Sequence, residues 1–556
     1  MPSLVTDNFR VFAAQQFVES LEEPYNSSFN PASEDAVNNS AEAQASQKYR
    51  SKVYLFIGRS YNWNDTTAGA VGEKYSGYST ISDFAPPDPV DCQDEINEIY
   101  DDMIAIKRIT RSDISEVIRK RTWQSGIVYD MYRHDYGTVN SSGVTKISAT
   151  GQSKLYDSSF YVMTDDYRVY KCIYNGQTPS TEAYPNGKPS TSKPTGTDPG
   201  IITYADGYRW KYMYTISIND YIKFVSTDFI PVKFEAAVQS AAVSGAINQV
   251  NILDRGSGLT PGPVLEDYSY YVPVIGNGGL GLDSTKAILK VKVPDSGAFA
   301  NKIESVTAVQ AGTDYTYGSV DLTACYSSLA NALARTGTTT SLGTVAKLDI
   351  IISPEGGHGS NPIYELGAYR IMINKNLEFL DGDGDIPVNM QFRRFGLIED
   401  PQSNSNSDYI ATTAIVCKAM RFPSTTTVNF DNGEIITQQN TGAKGRVIHW
   451  DSVNKILRYY QNEYISNQQT GTNKNKLVEF SGNNSVSQAN GVSATPDVTV
   501  ANYPVTVAGV TFSNTTPGYT QGEIKKNSGK VLYVENRKPV FRSNDQIEDV
   551  KLVIEF

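Results

Sequence analysis

Three stretches carry residue types at spacings that could do chemistry. Gly276-x-Gly278-x-x-Gly281 spells a dinucleotide fingerprint, whose glycines let backbone approach a pyrophosphate held at a helix N-terminus. Here the run from Ala287 to Val293 follows, which reads as a strand, so the required helix is missing and no cofactor is expected. Asp381-x-Asp383-x-Asp385 offers the first three ligand positions of a calcium loop. The obligatory Gly of such a loop is Ile386 here and its closing Glu is Phe392, so a surface turn without metal is the reading. Glu355-Gly-Gly-His358-Gly-Ser360 puts a base near a hydroxyl. Neighbours on a Gly turn do not make a triad, no third orienting group can be named, and a solvated loop is expected. His134, His358 and His449 are the only histidines, and no HExxH, P-loop or GxSxG motif occurs. The chain reads as a non-enzyme, with no catalytic, cofactor or metal residues.

The elements that position these residues are strands. The chain is organised around Tyr204 to Phe224, where Asp206-Gly207 is a turn signal. After it Tyr208, Trp210, Tyr212, Tyr214 and Ile216 share one face at a spacing of two, the period of a strand. Four rings on one face bury a large area, so this face predicts core packing on another layer rather than ligand stacking.

With 556 residues the chain exceeds one hydrophobic core. Its 49 basic and 60 acidic residues give a net charge of -11, against a broad nucleic-acid surface. The 36 Tyr and 43 Gly suit strands, turns and protein contacts. No apolar run reaches the roughly 18 residues that span a bilayer, and the N-terminus lacks a signal-peptide pattern. Cys92, Cys172, Cys325 and Cys417 form no CxxC pair and read as reduced, mostly buried thiols. A soluble protein made in a reducing cytoplasm is expected.

In chain order, residues from Thr6 to Leu21 predict a helix with Phe9, Phe12, Phe17 and Leu21 sharing one side. Residues 23–48 read as a polar surface loop or short helix, and Val53 to Ile57 as a buried strand ending at Gly58-Arg59-Ser60. The prolines of Phe84-Ala85-Pro86-Pro87-x-Pro89 favour an extended connection. Part of the acidic stretch Asp91 to Asp102 should be helical. Ile118-Arg119-Lys120-Arg121-Thr122-Trp123 is the most basic run; it could touch a phosphate or an acidic neighbour, and a solvated face is the ordinary reading. Phe160 to Tyr174 predicts a hairpin turning at Asp165-Asp166.

Beyond Phe234 a repeat emerges. Ile247-x-x-Val250, Gly256, Leu259-Thr260, Gly262 and Val264 recur as Ile303-x-x-Val306, Gly312, Tyr315-Thr316, Gly318 and Val320, always 56 residues later. This predicts a tandemly copied β module, with a partial third copy starting at Leu348. Around Phe430 to Asp451, strands alternate with Gly turns again.

The motifs Gly58-Arg59-Ser60-x-x-Trp63, Phe84-Ala85-Pro86-Pro87-x-Pro89, Ile118-x-Lys120-Arg121-x-Trp123 and Asp206-Gly207-Tyr208-x-Trp210-x-Tyr212 occur in this order. With Glu535-Asn536-Arg537-x-Pro539 and the closing Val550 to Phe556, they resemble the gene-eight product family of T-even-type contractile-tailed phages. That family is a baseplate wedge subunit. The resemblance covers roughly 1–235, 346–401 and 521–556.

The fold expected is mainly β, β-sandwich-like and multi-domain, with a few short helices, one near the N-terminus. A family core (1–235, 346–401) would carry an inserted β domain (236–345) and a second β region (402–520), with C-terminal strands (521–556) completing the core. The resemblance implies a structural virion protein of the tail baseplate, assembled in the host cytoplasm. Implied partners are a second copy in a homodimer and other wedge proteins, with no nucleic acid or membrane. Its structural residues would be Gly58, Arg59, Trp63, Pro86, Pro87, Trp123, Asp206, Gly207, Tyr208, Trp210, Tyr212, Glu535, Asn536, Arg537 and Pro539. The competing expectation is a tail-associated host-surface protein that binds glycans through its inserted β regions. Exposed aromatics there would favour it, yet Trp450 is the only Trp in either region. A tail-associated polysaccharide hydrolase would need two carboxylates flanking a sugar cleft.

Overall fold

The computed structural model describes residues 4–22, 51–65, 75, 77–139, 143–279, 285–377, 386–462, 465–466, 476–499, 503–507, 510–513, 516–543 and 546–556. The loop expected at 23–48, Gly281 and the Asp381–Asp385 turn lie outside them. The protein is mainly β, built from several antiparallel sheets with a few short helices. Backbone contacts group it into two compact units. One comprises Met1–Gln16, Ser115–Met372 and Val553–Phe556; the other comprises Phe17–Ile114 and Ile373–Leu552.

In the first unit the organising strand is Arg209–Thr215. It pairs antiparallel with Arg168–Tyr174 and Ile201–Thr203, and Tyr161–Met163 adds the hairpin partner. Tyr208, Trp210, Tyr212 and Tyr214 are buried as their alternation predicts. Lys211 and Met213 on the opposite face are buried too, so the sheet is covered on both sides.

The inserted β module shows what the 56-residue repeat builds. Ile247–Asp254 pairs with Lys347–Ile352, and Ser305–Ala311 pairs with Ala287–Lys292. The register slips between Lys347 and Leu348 opposite Asp254 and Ile252, and between Ile288 and Leu289 opposite Gln310 and Ala308. Those are matching positions, so the bulge is copied with the strands. Ile247 and Ile303 are fully buried, and Gly256 (φ 69°) and Gly312 (φ 67°) make the same left-handed turn. The copies also exchange bonds. Leu259 N–H donates to Asn301 O at 3.0 Å, and Tyr315 N–H donates to Gly245 O at 3.3 Å, each residue 56 positions from its counterpart. The stretch at Leu348 is therefore not the start of a third copy but the partner strand of the first. Strands repeat their own pattern, so periodicity did not distinguish a new copy from a returning partner.

The second unit has two main sheets. One orders Thr413–Ile415, Met103–Arg108, Val53–Gly58, Met390–Glu399 and Lys530–Arg542. The other runs from Ser493–Ala494 through Val486–Gln488, Ile435–Gln438, Lys444–Asp451, Ile456–Tyr460 and Lys418–Arg421 to Tyr519–Thr520. The compact units cut across the 1–235 block, because Val53–Gly58 hydrogen-bonds to Met390–Glu399 rather than to the sheet around Arg209–Thr215.

The N-terminal helix, Asp7–Glu22, differs from its sequence reading. Val11, Ala14 and Val18 are its buried face, whereas Phe9 and Phe12 are exposed. Both stripes have helical spacing, and the smaller side chains are the ones that let the helix lie close to its neighbours.

Candidate functional site

Residues from three distant stretches of the second unit meet in one buried ionic cluster. Val53–Gly58 ends at Arg59, a non-glycine residue at φ 55°. Gln93–Asp102 is a helix whose Glu95, Glu98 and Asp102, at i, i+3 and i+7, lie on one inward face. Arg394 comes from the centre of Met390–Glu399. Arg59 Nη1 lies 2.8 Å from Glu98 Oε1, Arg394 Nη2 is 2.8 Å from Glu95 Oε1, and Arg394 Nη1 is 3.0 Å from Asp102 Oδ2. All five side chains are almost completely removed from solvent.

Aromatic rings and the C-terminal strand close the cluster. The Arg59 guanidinium sits 4.2 Å from the Tyr61 ring centre and 4.3 Å from that of Trp63. Trp63 Nε1–H donates to Arg537 O at 2.8 Å. Asn536 accepts from Arg394 Nε at 2.9 Å and donates to Pro87 O at 3.0 Å. Arg393, pointing to the other side of its strand, donates to both oxygens of Asp83 at 2.9 and 2.8 Å. Arg446, paired with Asp65, stacks 4.5 Å from the Tyr61 ring centre, and Tyr61 stacks on Tyr460.

Three carboxylates face two guanidiniums here. Burial pushes Asp102 up to about 7, with Glu98 and Glu95 adding to the shift and Arg394 and Arg59 opposing it. A shared proton could suit acid–base chemistry, but the groups are sealed from any substrate. The cluster fixes geometry instead: removing one partner of a buried pair leaves a charge without compensation.

The remaining motif residues form a second network in the first unit. Asp206 Oδ2 accepts from Ser190 Oγ, Thr191 N–H and Ser192 N–H at 3.1, 2.9 and 2.9 Å, while Oδ1 accepts from Tyr208 N–H. Gly207, at φ 87°, makes the turn. Trp123 Nε1–H reaches the same Ser190 Oγ at 3.1 Å. Tyr208 Oη accepts from Tyr129 N–H and donates to Lys188 O, and the Tyr208 ring stacks on Trp210 at 5.5 Å. The Tyr212 hydroxyl bonds Thr215 Oγ1 at 2.7 Å. In the second unit, Glu535 and Arg537 pair at 2.5 Å and Arg537 covers the Phe395 ring.

The chemically tempting stretches fall elsewhere. Among the described residues, the next element after Ser269–Gly276 is the strand Ala287–Lys292. His358 is buried, contrary to the solvated loop expected. Positive φ at Gly356, Gly357 and Gly359 folds the loop inward and sets the imidazole edge-on to Tyr132 at 4.9 Å. Burial, helped by Lys171 and Lys211, holds its pKa well below the usual value, and its Nδ1 has no hydrogen-bond partner among the described residues. Among the described residues no group of three or more His, Cys, Asp or Glu is set to hold a metal. The basic run is only partly a solvated face. Arg119 is exposed, but Arg121 donates to Ser158 O, Tyr156 O and Asp157 O and stacks on Tyr161.

Sequence reading named Arg59 but missed Arg394, Glu95, Glu98 and Asp102. The helical spacing of three acids beside Ile96 and Ile99 was the available signal. No protein-family model matches the chain, and no curated protein matches it.

Proposed function

We propose that this chain is a non-catalytic structural subunit of the baseplate wedge of a contractile-tailed phage. In this role it associates with a second copy and with other wedge proteins in the tail baseplate, after assembly in the host cytoplasm. The reading rests on the ordered motifs that resemble the gene-eight product family. One observation supports it most: Gly58, Arg59, Trp63, Pro87, Asn536 and Arg537 gather around one sealed ionic cluster. Motif residues that hold a framework suit a protein that transmits force better than one that turns over substrate. A subunit of this kind needs large interfaces that survive sheath contraction.

Glycan binding through the inserted β regions is less well supported. Trp450 is buried against Phe422 and Phe430 at ring-centre distances of 5.6 and 5.3 Å, leaving no free face for a sugar. Co-expression with the wedge proteins of the same phage and affinity capture tests the proposal. Capture of a stoichiometric complex is expected; a chain that purifies alone would count against it.

A further inference from the structure

A cleft of about 610 Å3 opens in the first unit, away from both motif networks. Its volume lies in the range of small-molecule sites, about 300–1,000 Å3. Tyr132, Tyr136, Tyr156 and Tyr364 line it. Such rings offer apolar faces and hydroxyl edges together.

These walls are held in place. The Tyr156 hydroxyl donates to Tyr364 O at 2.6 Å, and its ring fills the space left by Gly367, where an added Cβ would lie 2.4 Å from Tyr156 Cγ. The Tyr136 hydroxyl donates to Met131 O at 2.9 Å. Tyr132 is fixed between the His358 ring and Lys171 Nζ, which sits 4.1 Å from its ring centre. A preformed site loses little ordering entropy on binding.

The charges of the cleft select against ions. Arg133 is matched by Asp135, through two bonds of 2.8 and 2.9 Å, and by Asp349 at 2.5 Å. Glu365 is matched by buried Lys171 at 2.7 Å and accepts from Gly359 N–H. His134 Nδ1 accepts from Ile352 N–H, so the neutral ring carries its proton on Nε2 as a donor. Glu355 is exposed at the rim, with no hydrogen bond or ion pair among the described residues. An anion would find no unmatched cation and one free carboxylate. A neutral ring bearing hydroxyls would find stacking faces, a donor and a strong acceptor.

We propose that this cleft binds a neutral saccharide, its ring faces on the partly exposed Tyr136, Tyr156 and Tyr364 and its hydroxyls on Glu355 and His134. The proposal does not depend on the wedge reading, since a structural subunit and a host-surface protein could each carry such a site. The test is saturation-transfer NMR on the full chain with maltotriose, chitotriose, cellotriose and galactobiose, and with glucuronic acid as the anionic control. Wild-type protein should show transfer to at least one neutral sugar and less to the anion. Glu355→Ala, at an exposed position, should keep the melting temperature and weaken that sugar about tenfold, the loss expected for a hydrogen bond to a charged acceptor. Silence across the neutral panel, preference for glucuronic acid, or undiminished binding by Glu355→Ala would each overturn the proposal.

Discussion

Arg394 Nη1 lies 3.0 Å from Asp102 Oδ2, with both side chains sealed from solvent. The same guanidinium holds Glu95 and Asn536, so one side chain ties a helix, a central strand and the C-terminal strand together. Arg394→Ala should therefore destabilise the protein by about 3–5 kcal/mol, the cost of leaving buried partners unmatched. Arg394→Lys should recover little, because an ammonium cannot repeat the fork that reaches three acceptors. Urea midpoints of the two variants and wild type measure both effects.

The proton on Asp102 gives the cluster a pH dependence. Its folded pKa of about 7 stands above the ordinary value of 3.8, so the folded state binds more protons between those pH values. Stability from this group is fully present below about pH 4 and is lost as pH rises through about 7. Asp102→Asn removes the group from titration. The advantage of wild type over Asp102→Asn in urea unfolding should shrink steadily from pH 4 to pH 8; a constant difference would show that Asp102 does not hold the proton.

The duplicated module makes a backbone prediction. Gly312 sits at φ 67°, and a Cβ there would lie 2.7 Å from Ala287 N in the partner strand. Gly258 has a similar φ of 66° but open space around it. Gly258→Ala should cost about 1–2 kcal/mol, the penalty of the left-handed conformation alone. Gly312→Ala should cost more, since the strand must also move. Thermal unfolding of the two variants compares them directly.

Thiol chemistry reports the packing independently. Cys92 is exposed, whereas Cys172, Cys325 and Cys417 are buried. Burial pushes the Cys325 and Cys417 thiols up to about 12 and about 11, which also suppresses the reactive thiolate. One equivalent of thiol should react quickly with a disulfide reagent in the native protein and four in urea. Rapid reaction of two or more would contradict the burial described.

Much of the β architecture is legible in the sequence. The ring alternation through Tyr208, Trp210, Tyr212 and Tyr214 marks its strand, and the 56-residue offset marks the duplicated module. Local periodicity carries both. What stayed hidden depends on partners distant in the chain. Arg59, Glu95 and Arg394 look like ordinary surface charges until the sheet brings positions 59 and 394 beside one helix. His358 looks solvated until three left-handed glycines turn it inward. The N-terminal helix offers two stripes of helical spacing, and only its neighbours decide that Val11, Ala14 and Val18 face in.

The measurement that bears most directly on the proposed wedge role is the mass of the purified protein in solution, alone and mixed with the wedge proteins that the proposal makes its partners. A dimer that joins a larger stoichiometric complex is the predicted result. A stable monomer or trimer that ignores those proteins and instead binds host cells would contradict it.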